Sequence, residues 1–135
     1  MKSIISYLSL IVVFLGFQNL QAQDLDLIEA SKSQKDRAHL IVTKLNDQLS
    51  LTEKQYMLFH EKQTEFIAKN DAVINSDRTP DEANKLLRAF YKEQYQEMDD
   101  ILTEPQMQVY REIRPVTDPL ITVSRLQTTN EKMDN

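Results

Sequence analysis

The sequence predicts an all-α fold of about four helices, and three observations carry the prediction. The chain has one glycine, Gly16, so beyond it the positive-φ turns of a hairpin-rich β fold have no glycine to form them. Apolar residues recur at spacings of three and four along most of the chain, the period of an amphipathic helix. Threonine followed three residues later by Gln or Glu, a helix start signal, occurs at Thr52, Thr79 and Thr103. A length of 135 residues points to one domain.

The first element is a targeting segment. Lys2 supplies a small positive region, and residues 4–17 are apolar apart from Ser6, Ser9 and Gly16. Ala22 then provides the small residue before a cleavage point. The apolar run is shorter than the ~20 residues that a membrane-spanning helix needs, so residues 1–22 read as a secretory signal peptide. An uncleaved N-terminal anchor is the alternative. With no cysteine in the chain, a lipid-anchored form, a disulfide and a thiolate metal site are excluded. The expected division is a signal peptide over 1–22, a helical domain over 23–114 and a tail over 115–135.

Residues 23–33 have a mixed pattern, with Leu25, Leu27 and Ile28 as anchors. A helix becomes clear from about Gln34, where Ala38, Ile41, Val42, Leu45 and Leu49 share one face. The second helix carries Tyr56, Phe59, Phe66, Ile67, Val73 and Ile74, and stops in the polar turn Asn75-Ser76-Asp77-Arg78. The third opens at Thr79-Pro80-Asp81-Glu82: Thr79 caps, Pro80 takes the first helical position, and Glu82 closes the box. Its stripe is Ala83, Leu86, Leu87, Phe90, Tyr91, Met98, Ile101 and Leu102. The second and third helices therefore form a long hairpin. A short fourth helix carries Met107, Tyr110 and Ile113 and is expected to end at Pro115. The tail is expected to be irregular or to add one short helix near residues 120–126.

One phrase occurs twice: Leu51-Thr52-Glu53-Lys54-Gln55 and Leu102-Thr103-Glu104-Pro105-Gln106. In each, Thr is the N-cap, Gln at N3 reaches back to the cap's N–H, and Leu sits before the cap as one half of a hydrophobic staple. The other half is Tyr56 or Met107. Leu58/Val109 and Phe59/Tyr110 match at the same offset, from an old duplication or from two helices with one face each. Two Leu-Thr-x-x-Gln motifs in a small exported helical chain resemble the Spy/CpxP family of periplasmic proteins, over about residues 45–114. The resemblance implies a thin, curved helical cradle, a homodimer, and ATP-independent chaperone action or a role in envelope stress. The residues it carries over are Leu51, Thr52, Gln55, Leu102, Thr103 and Gln106, with an architectural role. It also raises the alternative of a sensor or adaptor that binds a periplasmic receptor domain, with or without metal. A purely structural envelope protein is a third reading.

Candidate chemistry is sparse. Met57, His60 and Glu61 lie within one helical turn, a weak metal-ligand group because a zinc site usually needs three or four protein ligands. Asp99, Asp100 and Glu104 cluster at a helix end, where adjacent residues do not face each other and Glu104 complements a helix dipole. Nothing resembles an activated nucleophile, and no glycine loop is available to cradle a phosphate. The chain reads as a non-enzyme with no cofactor. Phe59, Phe66, Phe90, Tyr91 and Tyr95 are expected to be partly core, with a share of them exposed for unfolded clients because a thin arrangement cannot cover every stripe. The same uncovered surface motivates the homodimer. The formal charge of −5 with no basic stripe argues against nucleic acid and anionic lipid as partners. It also departs from the basic cradles of the better-known relatives. No stable membrane anchor is expected after cleavage.

Overall fold

The structure, a computed structural model, describes residues 28–124. The expected signal peptide, the anchors Leu25 and Leu27, and the end of the tail lie outside the described residues. Four helices account for most of the rest: α1 (Lys32–Leu49), α2 (Glu53–Ile74), α3 (Pro80–Asp99) and α4 (Glu104–Thr117). The fold is all-α with about four helices, and among the described residues none is long and apolar enough to cross a membrane.

Each helix starts where the side chains satisfy its orphan backbone donors. Thr79 N donates to Glu82 Oε2 at 3.0 Å, and Glu82 N donates back to Thr79 Oγ1 at 3.4 Å. Thr79 N and Thr79 Oγ1, both donating to Glu82 Oε2, hold that carboxyl below its ordinary pKa. The first helix begins two residues before the expected Gln34, because Ser31 caps it: Gln34 N donates to Ser31 Oγ at 3.3 Å, and Ser31 N donates to Gln34 Oε1 at 2.8 Å. That Ser-x-x-Gln signal stood in the sequence beside the mixed pattern that obscured it.

Helix α4 does not stop at Pro115. It continues to Thr117, with Asp118 N bonded to Arg114 O at 2.8 Å. Proline within the last turn removes one donor but leaves the following i→i−4 bond intact, so the helix outlasts it. Beyond it, residues 118–122 are irregular and helical geometry reappears at Val123 and Ser124.

Helix α1 ends without glycine. Ser50 takes φ 51° and ψ 54°, in the left-handed region, and donates its N–H to Asn46 O at 3.0 Å. The Asn46 side chain accepts the next N–H, from Leu51, at 2.7 Å. A Cβ in this conformation costs about 1–2 kcal/mol, and glycine relieves it while adding freedom to the unfolded chain. Ser50→Gly is therefore expected to raise stability by about 0.5–1 kcal/mol in urea denaturation. A loss of stability would show that the serine side chain contributes more than the strain costs.

The helices alternate in direction. Gln34 at the start of α1 donates to Asp71 near the end of α2 at 2.8 Å, and Arg37 pairs with the same carboxylate. Helix α1 packs on α2 and α4, α2 packs on α3, and α3 touches α4 over a smaller area. Two apolar clusters result. The larger joins all four helices through Val42, Leu45, Leu49, Phe59, Met98, Met107 and Tyr110, together with Leu102 of the α3–α4 turn. The smaller, toward the α2–α3 turn, holds Phe66, Val73, Ala83, Leu87 and Phe90.

A charged ladder closes the α2–α3 hairpin. Lys62 reaches Glu65 at 3.2 Å and Glu97 at 3.1 Å, and Lys69 reaches Glu65 at 3.0 Å and Glu93 at 3.4 Å. Lys69 is buried, with its ammonium 5.1 Å from the Phe66 ring centre and 5.8 Å from that of Phe90. Burial by itself would raise the Glu65 pKa, but hydrogen bonds from Lys69 and Lys62 outweigh it and hold that carboxyl low. A buried charge requires such partners, and here two carboxylates and two ring faces supply them.

Candidate functional site

The two Leu-Thr-x-x-Gln motifs meet. Antiparallel α1 and α2 place the first motif at one end of the molecule, and antiparallel α3 and α4 bring the second to the same end. Thr52 N donates to Gln55 Oε1 at 3.0 Å, and Gln55 N donates to Thr52 Oγ1 at 3.2 Å. In the second copy Thr103 N and Thr103 Oγ1 donate to Gln106 Oε1 at 2.9 and 3.1 Å. The glutamines then bond to each other. Gln55 Nε2 donates to Gln106 Oε1 at 2.8 Å, and Gln106 Nε2 donates to Gln55 Oε1 at 3.1 Å.

Each amide also crosses to the helix end preceding the other motif. Gln55 Nε2 donates to Ile101 O at 3.0 Å, and Gln106 Nε2 donates to Leu49 O at 3.2 Å. Both amides thus use two donors and share one acceptor between cap and partner, which fixes their orientation: only the oxygen can face the cap N–H. Leu51 is half-buried and Leu102 buried, and both join the larger core with Tyr56 and Met107. The result is a near-symmetric clamp. One side chain from each half starts its own helix, seals the other half's preceding helix end and grips its counterpart.

A second polar assembly lies inside the α2–α3–α4 packing. Arg114 is 2 % exposed; its Nη1 donates to Tyr91 O at 2.9 Å and its Nη2 to Gln94 Oε1 at 2.8 Å. Gln94 Nε2 donates to Gln63 Oε1 at 2.7 Å, and Gln63 Nε2 donates to Asp118 Oδ2 at 2.9 Å. The Arg114 guanidinium stacks 3.6 Å above the Tyr91 ring. The chain following α4 is held further by Val123 N, which donates to Asn84 Oδ1 at 2.9 Å.

Burial pushes the Asp118 carboxyl above its ordinary pKa, against the opposing hydrogen bond from Gln63 and the charge of Arg114. Burial likewise pushes the Tyr110 phenol well up, and its hydroxyl has no hydrogen-bond partner among the described residues. A raised folded-state pKa means the folded chain holds the proton more tightly than the unfolded one. The Asp118 contribution therefore favours folding at low pH and is lost as pH rises through the raised value. Asp118→Asn is expected to match or exceed the parent in thermal stability at pH 7, with the difference shrinking toward pH 4. A variant less stable at pH 7 by the full margin at both pH values would contradict this sign.

The aromatic residues expected to face clients divide. Phe59, Phe66 and Phe90 are in the core, which corrects their assignment to a client surface: Phe59 packs with residues of α1 and α4, and Phe66 and Phe90 are buried within the α2–α3 hairpin itself. Phe59 packs edge-on against Tyr110, with ring centres 5.5 Å apart. Tyr91 and Tyr95 are half-buried, Tyr91 beneath Arg114 and Tyr95 stacked on Tyr110. Among the described residues, the large apolar side chains that remain exposed are Leu40, Met57, Leu58 and Val116.

Of the Met57, His60 and Glu61 group, Glu61 is exposed and His60 half-buried. Met57 is exposed, and His60 Nε2 lies 3.3 Å from Lys35 O on α1. Among the described residues no three His, Cys, Asp or Glu side chains gather to hold a metal ion. The neighbour that sequence spacing missed is His39, whose ring centre is 6.2 Å from that of His60. In comparisons with known proteins, no family model, curated protein or solved structure matches the chain.

Proposed function

We propose that the chain is an exported, ATP-independent chaperone or envelope-stress protein of the Spy/CpxP type, acting in the periplasm by binding unfolded polypeptides. The observation that supports the reading is the union of the two Leu-Thr-x-x-Gln motifs through Gln55 and Gln106. A motif pair read as two separate helix starts is one structural device, as expected if the repeat defines the architecture. Client contact then falls to the outer side chains Leu40, Met57 and Leu58 and to the accessible edges of Tyr91 and Tyr95. The homodimer loses its original motivation in the α2–α3 aromatics, which the chain covers itself, and light scattering at micromolar concentration decides it.

The test is the aggregation of several chemically denatured clients, followed by light scattering with an excess of the protein and no ATP. Protection by the folded chain is expected, reduced by replacing Leu40, Met57 and Leu58 together with serine. Folding of that variant is checked by circular dichroism, since all three positions are exposed. If the folded parent protects none of the clients, the chaperone reading fails and the sensor or adaptor reading, tested by capture of a receptor domain, replaces it.

A further inference from the structure

The two histidines in the chain, on different helices, are brought face to edge across the α1–α2 groove, their ring planes at 67°. In each ring one nitrogen is already engaged by the protein. His60 Nε2 faces Lys35 O, an acceptor only, so that nitrogen carries the proton and Nδ1 keeps a lone pair. His39 Nδ1 lies 3.0 Å from the Tyr56 hydroxyl, which lies 3.3 Å from Thr43 Oγ1. With His39 Nδ1–H donating to Tyr56 and Tyr56 donating to Thr43, Nε2 of His39 also keeps its lone pair. Hydrogen bonding of the non-ligating nitrogen to a carbonyl or hydroxyl is how proteins orient metal-binding imidazoles.

We propose that His39 Nε2 and His60 Nδ1 form a two-imidazole site for a divalent late transition-metal ion such as Zn²⁺, with water filling the remaining positions. Two nitrogens each about 2.0–2.1 Å from one ion place the ring centres about 5 to 6.4 Å apart, between tetrahedral and linear angles. The observed 6.2 Å lies near the linear limit, so tetrahedral binding of Zn²⁺ requires the two rings to close by about 1 Å. His39 is exposed and His60 half-buried, so an ion reaches them from solvent. Imidazole suits Zn²⁺, Cu²⁺ and Ni²⁺ rather than Mg²⁺ or Ca²⁺. With two protein ligands the site exchanges its ion readily, unlike a closed structural zinc site. Tyr56 is the positioning residue: it holds the His39 ring without touching the ion.

The inference stands apart from the chaperone reading, and its test involves no client. Zn²⁺ alone is titrated into the purified full chain at pH 7.5 by calorimetry, with the imidazole ¹⁵N resonances of both histidines followed in parallel. One ion per chain is expected, shifting both rings together. His39→Ala and His60→Ala should each weaken binding about tenfold or more, Tyr56→Phe by a smaller factor, and Met57→Ala and Glu61→Ala less than about twofold. Melting curves establish that each variant is folded. Unshifted histidine resonances at saturating Zn²⁺, or affinity that survives loss of either histidine in a folded variant, would overturn the site.

Discussion

Arg114→Ala is expected to destabilise the fold by about 3–4 kcal/mol, measured by urea denaturation at pH 7. The guanidinium is buried and anchors a chain of polar groups running through Gln94 and Gln63 to Asp118. Truncation removes two hydrogen bonds, strands Gln94 Oε1 away from water, and leaves the Asp118 carboxylate without the cation that offsets its burial. Packing over the Tyr91 ring goes with it. Arg114→Met restores much of the volume but none of the donors, so it separates the two losses. A cost near 2 kcal/mol is expected for it, since the unpaired groups remain. If both variants cost less than about 1 kcal/mol, the guanidinium does not organise the α3–α4 packing.

Phe59→Ala is expected to cost about 3–5 kcal/mol, the range for deleting a large side chain from a close-packed core. Phe59 is fully buried, sits in the cluster that joins all four helices, and meets Tyr110 edge to face. The substitution leaves a cavity between helices that cannot collapse without shifting α4. Phe59→Leu should recover more than half of the loss. This result also separates core from client contact. An aromatic serving mainly at the surface would cost within about 0.5 kcal/mol and reduce client protection instead.

How far the sequence disclosed all this depends on the range of the interaction. Local signals were legible: the Thr52, Thr79 and Thr103 starts, the polar stop after Ile74, and the apolar stripes of α2 and α3 are each written within a few residues. Pro115 misled because a proline costs a helix one N–H bond, yet the bond formed past it, from Asp118 N to Arg114 O, carries α4 on to Thr117. The stripe of α4 also hid Arg114. It falls at the spacing of Met107 and Tyr110, so its burial was implied by position, yet a charged residue there reads as solvent-facing until a partner is known. Those partners, Gln94 and Gln63, come from other helices. The pairing of His39 with His60 and of Gln55 with Gln106 has the same character. Helical period puts each residue on a face but does not say which faces meet. Phe59, Phe66 and Phe90 were placed on a client surface for a related reason, since what packs over a helix face is a tertiary fact.

The central claim is that the two Leu-Thr-x-x-Gln motifs form one clamp rather than two independent caps. A double-mutant cycle with Gln55→Ala, Gln106→Ala and both together, read as unfolding free energy in urea, tests it most directly. Each single change is expected to cost about 2 kcal/mol, because it removes a cap bond, the mutual amide bonds and the bond to a distant helix end. The double variant should cost less than the sum by about 1 kcal/mol or more, since the bonds shared by the two amides are lost only once. Costs that add within about 0.3 kcal/mol would mean that each glutamine serves its own helix alone, and the clamp would be refuted.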